Sequence, residues 1–455
     1  MKDDRSLQTV QPEVAAATVM NRWFVVVGAI LIQLCLGGLY AWSVFTTTLK
    51  ASVESGGYAF TASQTQWIFS MGLACFALSM LFAGRWQAKV GPRPVAVVGG
   101  LILGGGYILG GVLGKSFLPQ LLLIGVVGGV GIGLAYVVPI AVGVKWFPDK
   151  KGLITGLAVA GFGFGATLWV KLAGEWFGGL LNTTNVFGLP GVQSVFVIYG
   201  AVWLVLILLG SIVMVNPPAG WKPAGWNPSP AAVAKAGGSV DLTATQMAGT
   251  PQYWGMVLMF TGSAMAGLMV IGVIRLFGTD SLIANGVVTA DTLDAAKKLA
   301  GGIAGTAMAW YAIFNGLGRI IWGSVSDKIG RKVSLFLMCL FQGVMMLCFY
   351  RLGASELGLI IGACVIGFNF GGNFALFPAA TADFFGNKNV GSNYPWVFIA
   401  YGVAGIVGPQ VGAYFQPSAG AVEAWKTPFM IAGVACLVAA VIALALRPVG
   451  QVKGS

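Results

Sequence analysis

The chain has 455 residues, of which 57% are hydrophobic and 9% charged, with 69 glycines, no histidine, a net charge of +12 and a mean hydropathy of +0.84. A soluble chain of this length carries about a quarter charged residues, so the composition specifies a protein that crosses a membrane many times. The lack of histidine, and six scattered cysteines (Cys35, Cys75, Cys339, Cys348, Cys364, Cys436) with no C-x-x-C pair, remove the usual ligands and bases of zinc sites, histidine-dependent enzymes and disulfide frameworks. No cofactor and no metal is implied.

In chain order, residues 1–22 are polar and mixed in charge and read as a cytoplasmic tail, so the apolar run from Trp23 is a retained first span and not a cleaved signal peptide. A hydrocarbon core about 30 Å thick takes about 20 apolar residues per helix. On that measure twelve helical spans are expected, near 23–46, 64–84, 94–114, 118–144, 152–175 and 193–215, then 253–276, 302–323, 333–351, 356–382, 395–415 and 425–446. Interior glycines such as Gly104, Gly105, Gly106, Gly110 and Gly111 let helix backbones approach closely in lipid. Residues 217–250, rich in Pro, Ala, Gly and Ser, read as a cytoplasmic linker between an N-terminal six-helix half (23–216) and a C-terminal one (251–447), with 448–455 as a second cytoplasmic tail.

Lysine and arginine concentrate in the short loops after spans 2, 4 and 8: Arg85, Lys89 and Arg93; Lys145, Lys150 and Lys151; Lys328, Arg331 and Lys332. By the positive-inside rule these loops, the linker (Lys222, Lys235) and both termini (Lys2, Arg5, Arg22; Arg447, Lys453) face the cytoplasm, in a multi-pass protein of the cytoplasmic membrane. The outer loops are offset by acids such as Glu54, Asp280, Asp291, Asp294, Glu356 and Glu423. The positive charge is then mostly an inner-face feature suited to anionic lipid headgroups. No basic run is interleaved with aromatics in the way nucleic-acid binding requires.

A single shift of 239 residues superposes Gly84 on Gly323, Gly91 on Gly330, Gly133 on Gly372, Pro139 on Pro378 and Gly152 on Gly391, one register across four spans. It also aligns G84-R-W-Q-A-K-V-G91 with G323-S-V-S-D-K-I-G330. Two parallel six-helix halves are the layout of a transporter with its substrate site between them, with a functional monomer as the expected unit.

The string G323-S-V-S-D-K-I-G-R-K332 resembles the signature of the major facilitator superfamily between the second and third helices of each half; its first-half copy has Ala88 where Asp327 stands. N21-R-W-F24, K145-W-F-P-D-K-K-G152, P251-Q-Y-W254, F368-N-F-G-G-N-F-A-L-F-P378 and D383-F-F-G386 followed by Asn393 and Tyr394 are similar to the oxalate:formate antiporter family, over nearly the whole chain. The resemblance implies an all-α integral membrane protein with the major facilitator fold, twelve transmembrane helices in two pseudo-symmetric halves. Asp327, near a helix end, can pair with Arg331 or Lys332 and with a neighbouring helix, in an arrangement that breaks as the halves rock; Arg85, in the first-half copy of the string, is a further candidate for that switch.

Few charges lie inside the spans, and each costs about 2.5–3.5 kcal/mol at mid-bilayer even on the lenient insertion scale. Arg319 leads them: eight residues before Asp327, at 1.5 Å per residue, it lies about 12 Å deep. A guanidinium there can hold a carboxylate through two parallel hydrogen bonds. The alternatives are a salt bridge within the bundle or a stem reaching the cytoplasmic face, yet none of the fourteen acids sits mid-span, Glu175 lying towards an outer end and Asp383 towards an inner one. Asn315, one turn earlier, faces the same way and serves either a substrate or an interhelical bond.

Aromatic residues supply the rest of a candidate cavity: Tyr40 or Trp42 on span 1, Tyr136 on span 4, Phe370 and Phe374 on span 10, Phe398 and Tyr401 on span 11. Two residues apart on a regular helix, Tyr40 and Trp42 point to nearly opposite sides, so one of them faces the cavity. In the resembled family the matching positions form an aromatic box around the anion. Its oxalate-transporting members also carry a lysine on span 11 where this chain has Tyr401, which implies a monocarboxylate with one charge to neutralise. Lys171 and Arg275, near the outer ends of spans 5 and 7, either anchor helix ends at the interface or draw anions in.

The expected function is alternating-access transport of small monocarboxylates of the lactate, pyruvate or formate type, with oxalate:formate antiport as the alternative and no enzymatic activity. With no histidine and no mid-span acid to titrate, a coupled proton would travel on the carboxylate itself, and exchange of one anion for another would need none. The glycine string G161-F-G-F-G165 is no phosphate loop, because it lies within a span and lacks a lysine.

Overall fold

The computed structural model describes residues 20–147, 151–189, 191–218, 221–223, 225–226, 241–386, 389–416, 422–447 and 449. The N-terminal tail to residue 19, Lys150, Lys235 and Lys453 lie outside the described residues. The long helices are α1 (Trp23–Lys50), α2 (Ala62–Val90), α3 (Pro92–Leu113), α4 (Phe117–Trp146), α5 (Lys151–Gly174), α6 (Gly191–Ile212), α7 (Pro251–Ala284), α8 (Leu293–Ile329), α9 (Arg331–Leu352), α10 (Glu356–Phe385), α11 (Val390–Tyr414) and α12 (Lys426–Ala445). They cover all twelve expected spans. Eleven of the twelve are long and apolar enough to cross a membrane. The exception is α8, where Asn315 and Arg319 lie in a span otherwise rich in glycine and alanine.

Local chemistry sets the helix ends. A capping box opens α2, Thr61 Oγ1 accepting from the Gln64 N–H while Gln64 Oε1 accepts from the Thr61 N–H. Gly91, at a φ of 88° that side-chain-bearing residues adopt only with strain, closes α2, and Pro92 starts α3 immediately. The second half repeats the corner: Gly330, at φ 89°, closes α8 and Arg331 starts α9. Pro139 and Pro378, another pair in the 239-residue register, both lie inside helices, in α4 and α10. The sequence repeat is therefore a repeat of backbone conformation.

Packing follows the same symmetry. In the first half α1 lies on α5, α2 on α4 and α3 on α6; in the second α7 lies on α11, α8 on α10 and α9 on α12. The halves meet along two equivalent seams, α2 with α11 and α5 with α8, with the Trp42–Lys50 part of α1 also touching α7. One departure from regularity positions the centre: α1 tightens into a 3₁₀ stretch over Gly37–Ala41 before resuming at Trp42.

Glycine lets the central helices touch backbone to backbone. A Cβ at Gly367 would lie 2.2 Å from the Tyr311 carbonyl oxygen, one at Gly371 2.1 Å from that of Asn315, and one at Gly318 2.0 Å from that of Phe368. The α8–α10 seam thus fixes the helix carrying Arg319 against the one carrying Phe370 and Phe374. Gly371→Ala is expected to destabilise the protein by about 1–3 kcal/mol, as overpacking does, measured as a lowered unfolding midpoint in detergent; an unchanged midpoint would show that the seam yields.

Candidate functional site

Arg319 sits at the junction of the halves and is 1% exposed. Its Nε donates to Asn315 Oδ1 at 3.1 Å, one turn back on α8, and its Nη1 crosses the α5–α8 seam to the carbonyl oxygen of Val159 at 2.9 Å. Neither alternative raised by the sequence is adopted: its bonded partners are neutral, and the stem does not climb to a membrane face. Phe374 lies 4.0 Å from the guanidinium carbon and Phe162 5.5 Å, so rings from opposite halves flank the cation. Two donors, Arg319 Nη2 and Asn315 Nδ2, are buried with no hydrogen-bond acceptor in reach among the described residues, the Tyr40 and Tyr136 hydroxyls lying beside the guanidinium. A buried donor left unmet costs about 1–3 kcal/mol, more for a charged group, and an anionic acceptor would meet it.

The 3₁₀ stretch decides between Tyr40 and Trp42. The Tyr40 hydroxyl meets that of Tyr401 at 2.7 Å, and its ring lies 4.8 Å from Phe162 and 5.8 Å from Phe370. Trp42 turns away from the centre, donating its Nε1–H to the Thr65 carbonyl at 2.9 Å and stacking on Phe196. Trp42 is thus a packing residue within the first half, not part of the box.

The other expected aromatics converge. Phe370 and Phe374 meet edge to face at 5.4 Å, Phe374 lies 5.5 Å from Tyr401, Tyr401 stacks on Phe398 at 4.8 Å, and Phe398 faces Tyr136 at 6.2 Å. The Tyr40 and Tyr136 hydroxyls both face the Arg319 guanidinium. Phe76 and Phe162 complete the box and were not singled out from the sequence. Phe76 lies 5.0 Å from Tyr136 and 5.7 Å from Tyr401. Phe162 belongs to the G-F-G-F-G string, whose glycines are the readable signal: a Cβ at Gly163 would lie 2.8 Å from the Gly316 nitrogen, and one at Gly165 2.1 Å from the Leu34 carbonyl. The string presses α5 onto α8 and α1, and that brings Phe162 to Arg319.

Contacts join the halves on both sides of the site. On the face opposite the basic loops the halves are joined by Gln66 to the Gly272 carbonyl (3.0 Å), Ser63 to Gln410 (3.2 Å), Arg275 to the Val44 carbonyl (3.2 Å) and Lys171 to Thr306 (2.8 Å). Lys171 and Arg275 are therefore seam residues, where the sequence suggested interface anchors or free outer charges. On the basic face a Cβ at Gly84 would reach the Gly391 carbonyl at 4.0 Å, and one at Gly156 would meet Ile320 at 3.7 Å.

The signature loop forms its cluster within one half. Arg331 bonds Asp327 at 2.5 Å, Asp383 at 3.3 Å and the Ser326 hydroxyl, tying the ends of α8, α9 and α10 together. Lys332, half-buried on the first turn of α9, makes none of these bonds, and Arg85 is exposed at the matching corner of the first half. With Asp327 64% exposed, its pair contributes about 0.2–1 kcal/mol.

The Tyr40–Tyr401 bond joins the halves at the centre. Removing either hydroxyl, by Tyr40→Phe or Tyr401→Phe, is expected to cost about 0.5–1.5 kcal/mol of stability, and the double variant no more than the larger single loss. A double-mutant cycle of unfolding midpoints checks this; additive losses would mean that the hydroxyls act separately.

Comparison with known proteins agrees with the architecture. Residues 22–290 and 276–454 match the Major Facilitator Superfamily. The chain is 31% identical to the uncharacterized MFS-type transporter YhjX of Escherichia coli strain K12, over 85% of this chain and 86% of that protein. It is 28% identical to the oxalate:formate antiporter of Oxalobacter formigenes (94% and 92%) and 26% identical to apicoplast pyruvate carrier 1 of Toxoplasma gondii (82% and 80%). The fold is shared with a bacterial homologue of the human drug peptide transporters PepT1 and PepT2, at a TM-score of 0.63 and 16% identity over 94% of this chain and 98% of that one. The chain belongs to the Major Facilitator Superfamily, whose members are membrane transporters and not enzymes.

Proposed function

We propose that the protein carries small monocarboxylate anions, of the lactate, pyruvate or formate type, by alternating access, with Arg319 and Asn315 holding the carboxylate and Tyr40, Tyr136, Phe370, Phe374, Phe398 and Tyr401 enclosing it. The observation that carries this reading is the pair of buried donors, Arg319 Nη2 and Asn315 Nδ2, with no hydrogen-bond acceptor among the described residues. A carboxylate has two oxygens to offer them, and in a site of low dielectric that pairing far outweighs its value in water. Relatives named for oxalate, formate and pyruvate support the substrate class.

One cation suits one carboxylate. Tyr401 contributes a hydroxyl, already engaged with Tyr40, at the place where the resembled oxalate carriers have a lysine. Oxalate:formate exchange is the second reading, favoured by the 28% identity to the antiporter over 94% of the chain. In this proposal the basic loops and both termini face the cytoplasm, anionic lipids lie against that face, the monomer is the working unit, and the proton crosses as part of the carboxylic acid. The halves are 23–216 and 251–447, joined by the 217–250 linker. The Asp327–Arg331–Asp383 cluster, with Lys332 and Arg85 nearby, rearranges as that face opens.

Uptake of labelled lactate and labelled oxalate into proteoliposomes, with and without an inward proton gradient and internal formate, tests the proposal. Gradient-driven lactate uptake supports it; oxalate uptake that requires internal formate replaces it with the antiport reading. Arg319→Ala is expected to abolish uptake while the protein still purifies folded, and full uptake in that variant would sink the assignment. Tyr401→Lys is expected to improve competition by oxalate about tenfold relative to lactate, the equivalent of about 1.4 kcal/mol, read from inhibition constants.

A further inference from the structure

The seam on the face opposite the basic loops holds more charge than a simple closure needs. Lys171, 15% exposed, donates to Glu175 Oε2 at 2.5 Å and to Thr306 Oγ1 of the other half at 2.8 Å, while that hydroxyl donates to Glu175 Oε1 at 3.2 Å. Arg275 faces the same carboxylate from α7, gives Nη1 to the Val44 carbonyl, and has a buried Nε with no acceptor. Gly174, Gly301 and Gly305 leave room beside these groups: a Cβ at Gly301 would lie 3.5 Å from Arg275 Nε, and one at Gly305 3.6 Å from Glu175 Oε1. Glu175 and Thr306 also line an open cleft of about 540 Å³ with Lys298 of α8 and Glu356 of α10. The charged lining of the cleft is Lys298, Glu175 and Glu356, and Lys171 and Arg275 flank Glu175.

We propose that Lys171 and Arg275 form a second carboxylate site, at the outer mouth, which takes the substrate anion before Arg319 does. Glu175 occupies that site at rest as a built-in carboxylate. An arriving anion takes its place on Lys171 and supplies the acceptor that Arg275 Nε lacks. The Thr306–Glu175 contact then loses its support, so capture also loosens the α5–α8 seam at its outer end. Thr306 is thirteen residues from Arg319 along α8 and Lys171 twelve from Val159 along α5, which sets the two sites about 18–20 Å apart on one helix pair. The Lys171 and Arg275 charges attract an arriving monoanion, and salt screens that attraction.

This inference rests on the proposed carboxylate transport and is tested separately from it. Initial lactate uptake from the outer side is measured in oriented proteoliposomes at about 20 mM and about 500 mM salt, for the wild type and for Arg275→Gln, Arg275→Lys and Glu175→Gln. At low salt Arg275→Gln is expected to lower kcat/KM about tenfold through KM, Arg275→Lys to keep most of it, and Glu175→Gln to raise it about threefold by removing the resident competitor; the differences should shrink at high salt. If Arg275→Gln and Glu175→Gln move uptake in the same direction, or if salt leaves their differences unchanged, the cluster is a latch only and the capture site is overturned. An Arg319→Ala variant that still takes up lactate would instead refute the central-site reading, whatever these variants show.

Discussion

A guanidinium buried at the meeting of two six-helix halves, with no carboxylate bonded to it, sets the terms for the rest of this structure. Its charge is carried by an amide oxygen, a backbone carbonyl and two aromatic faces, which together return only part of the hydration it has lost. In the proposed function an entering carboxylate makes good the remaining deficit. Because the flanking rings come from different halves, Phe162 from one and Phe374 from the other, the cation is fully enclosed only when the halves are together. On the proposed reading, substrate binding and domain closure draw on the same contact.

The glycines make that enclosure possible. Around the centre they bring main chains into contact along α8–α10 and, at Gly163 and Gly316, along α5–α8. Rigid pairs within each half and a close, smooth seam between halves suit a mechanism in which blocks move while their interiors persist. The two seams, α2 with α11 and α5 with α8, are related by the repeat, so opening either face engages equivalent surfaces.

Much of this was legible in the sequence because its physics is one-dimensional. Span length, glycine register and the i, i+4 relation of Asn315 to Arg319 depend on spacing along one helix, and all three hold in the folded chain. Other features depend on which helix lies opposite. Phe76 looks like any apolar span residue until α2 packs beside α4 and α11. Trp42 and Tyr40 were indistinguishable because a 3₁₀ stretch, which no local residue announces, sets the winding between them. Lys171 and Arg275 read as helix-end charges because their partners across the seam, Thr306 and the Val44 carbonyl, lie more than a hundred residues away. The pairing of Arg331 with Asp327 was readable from spacing; Asp383, fifty-two residues on, required the fold.

The bond from Arg319 to the carbonyl of Val159 has a consequence of a different kind. Its acceptor is main chain, so it survives any replacement of the side chain at position 159 that keeps α5 helical. A scan of side-chain substitutions would leave this acceptor in place and would register position 159 only through its packing. Over evolutionary time α5 is free to change its residue there without losing its hold on the opposite half, so related chains can diverge at this position while retaining the same tie.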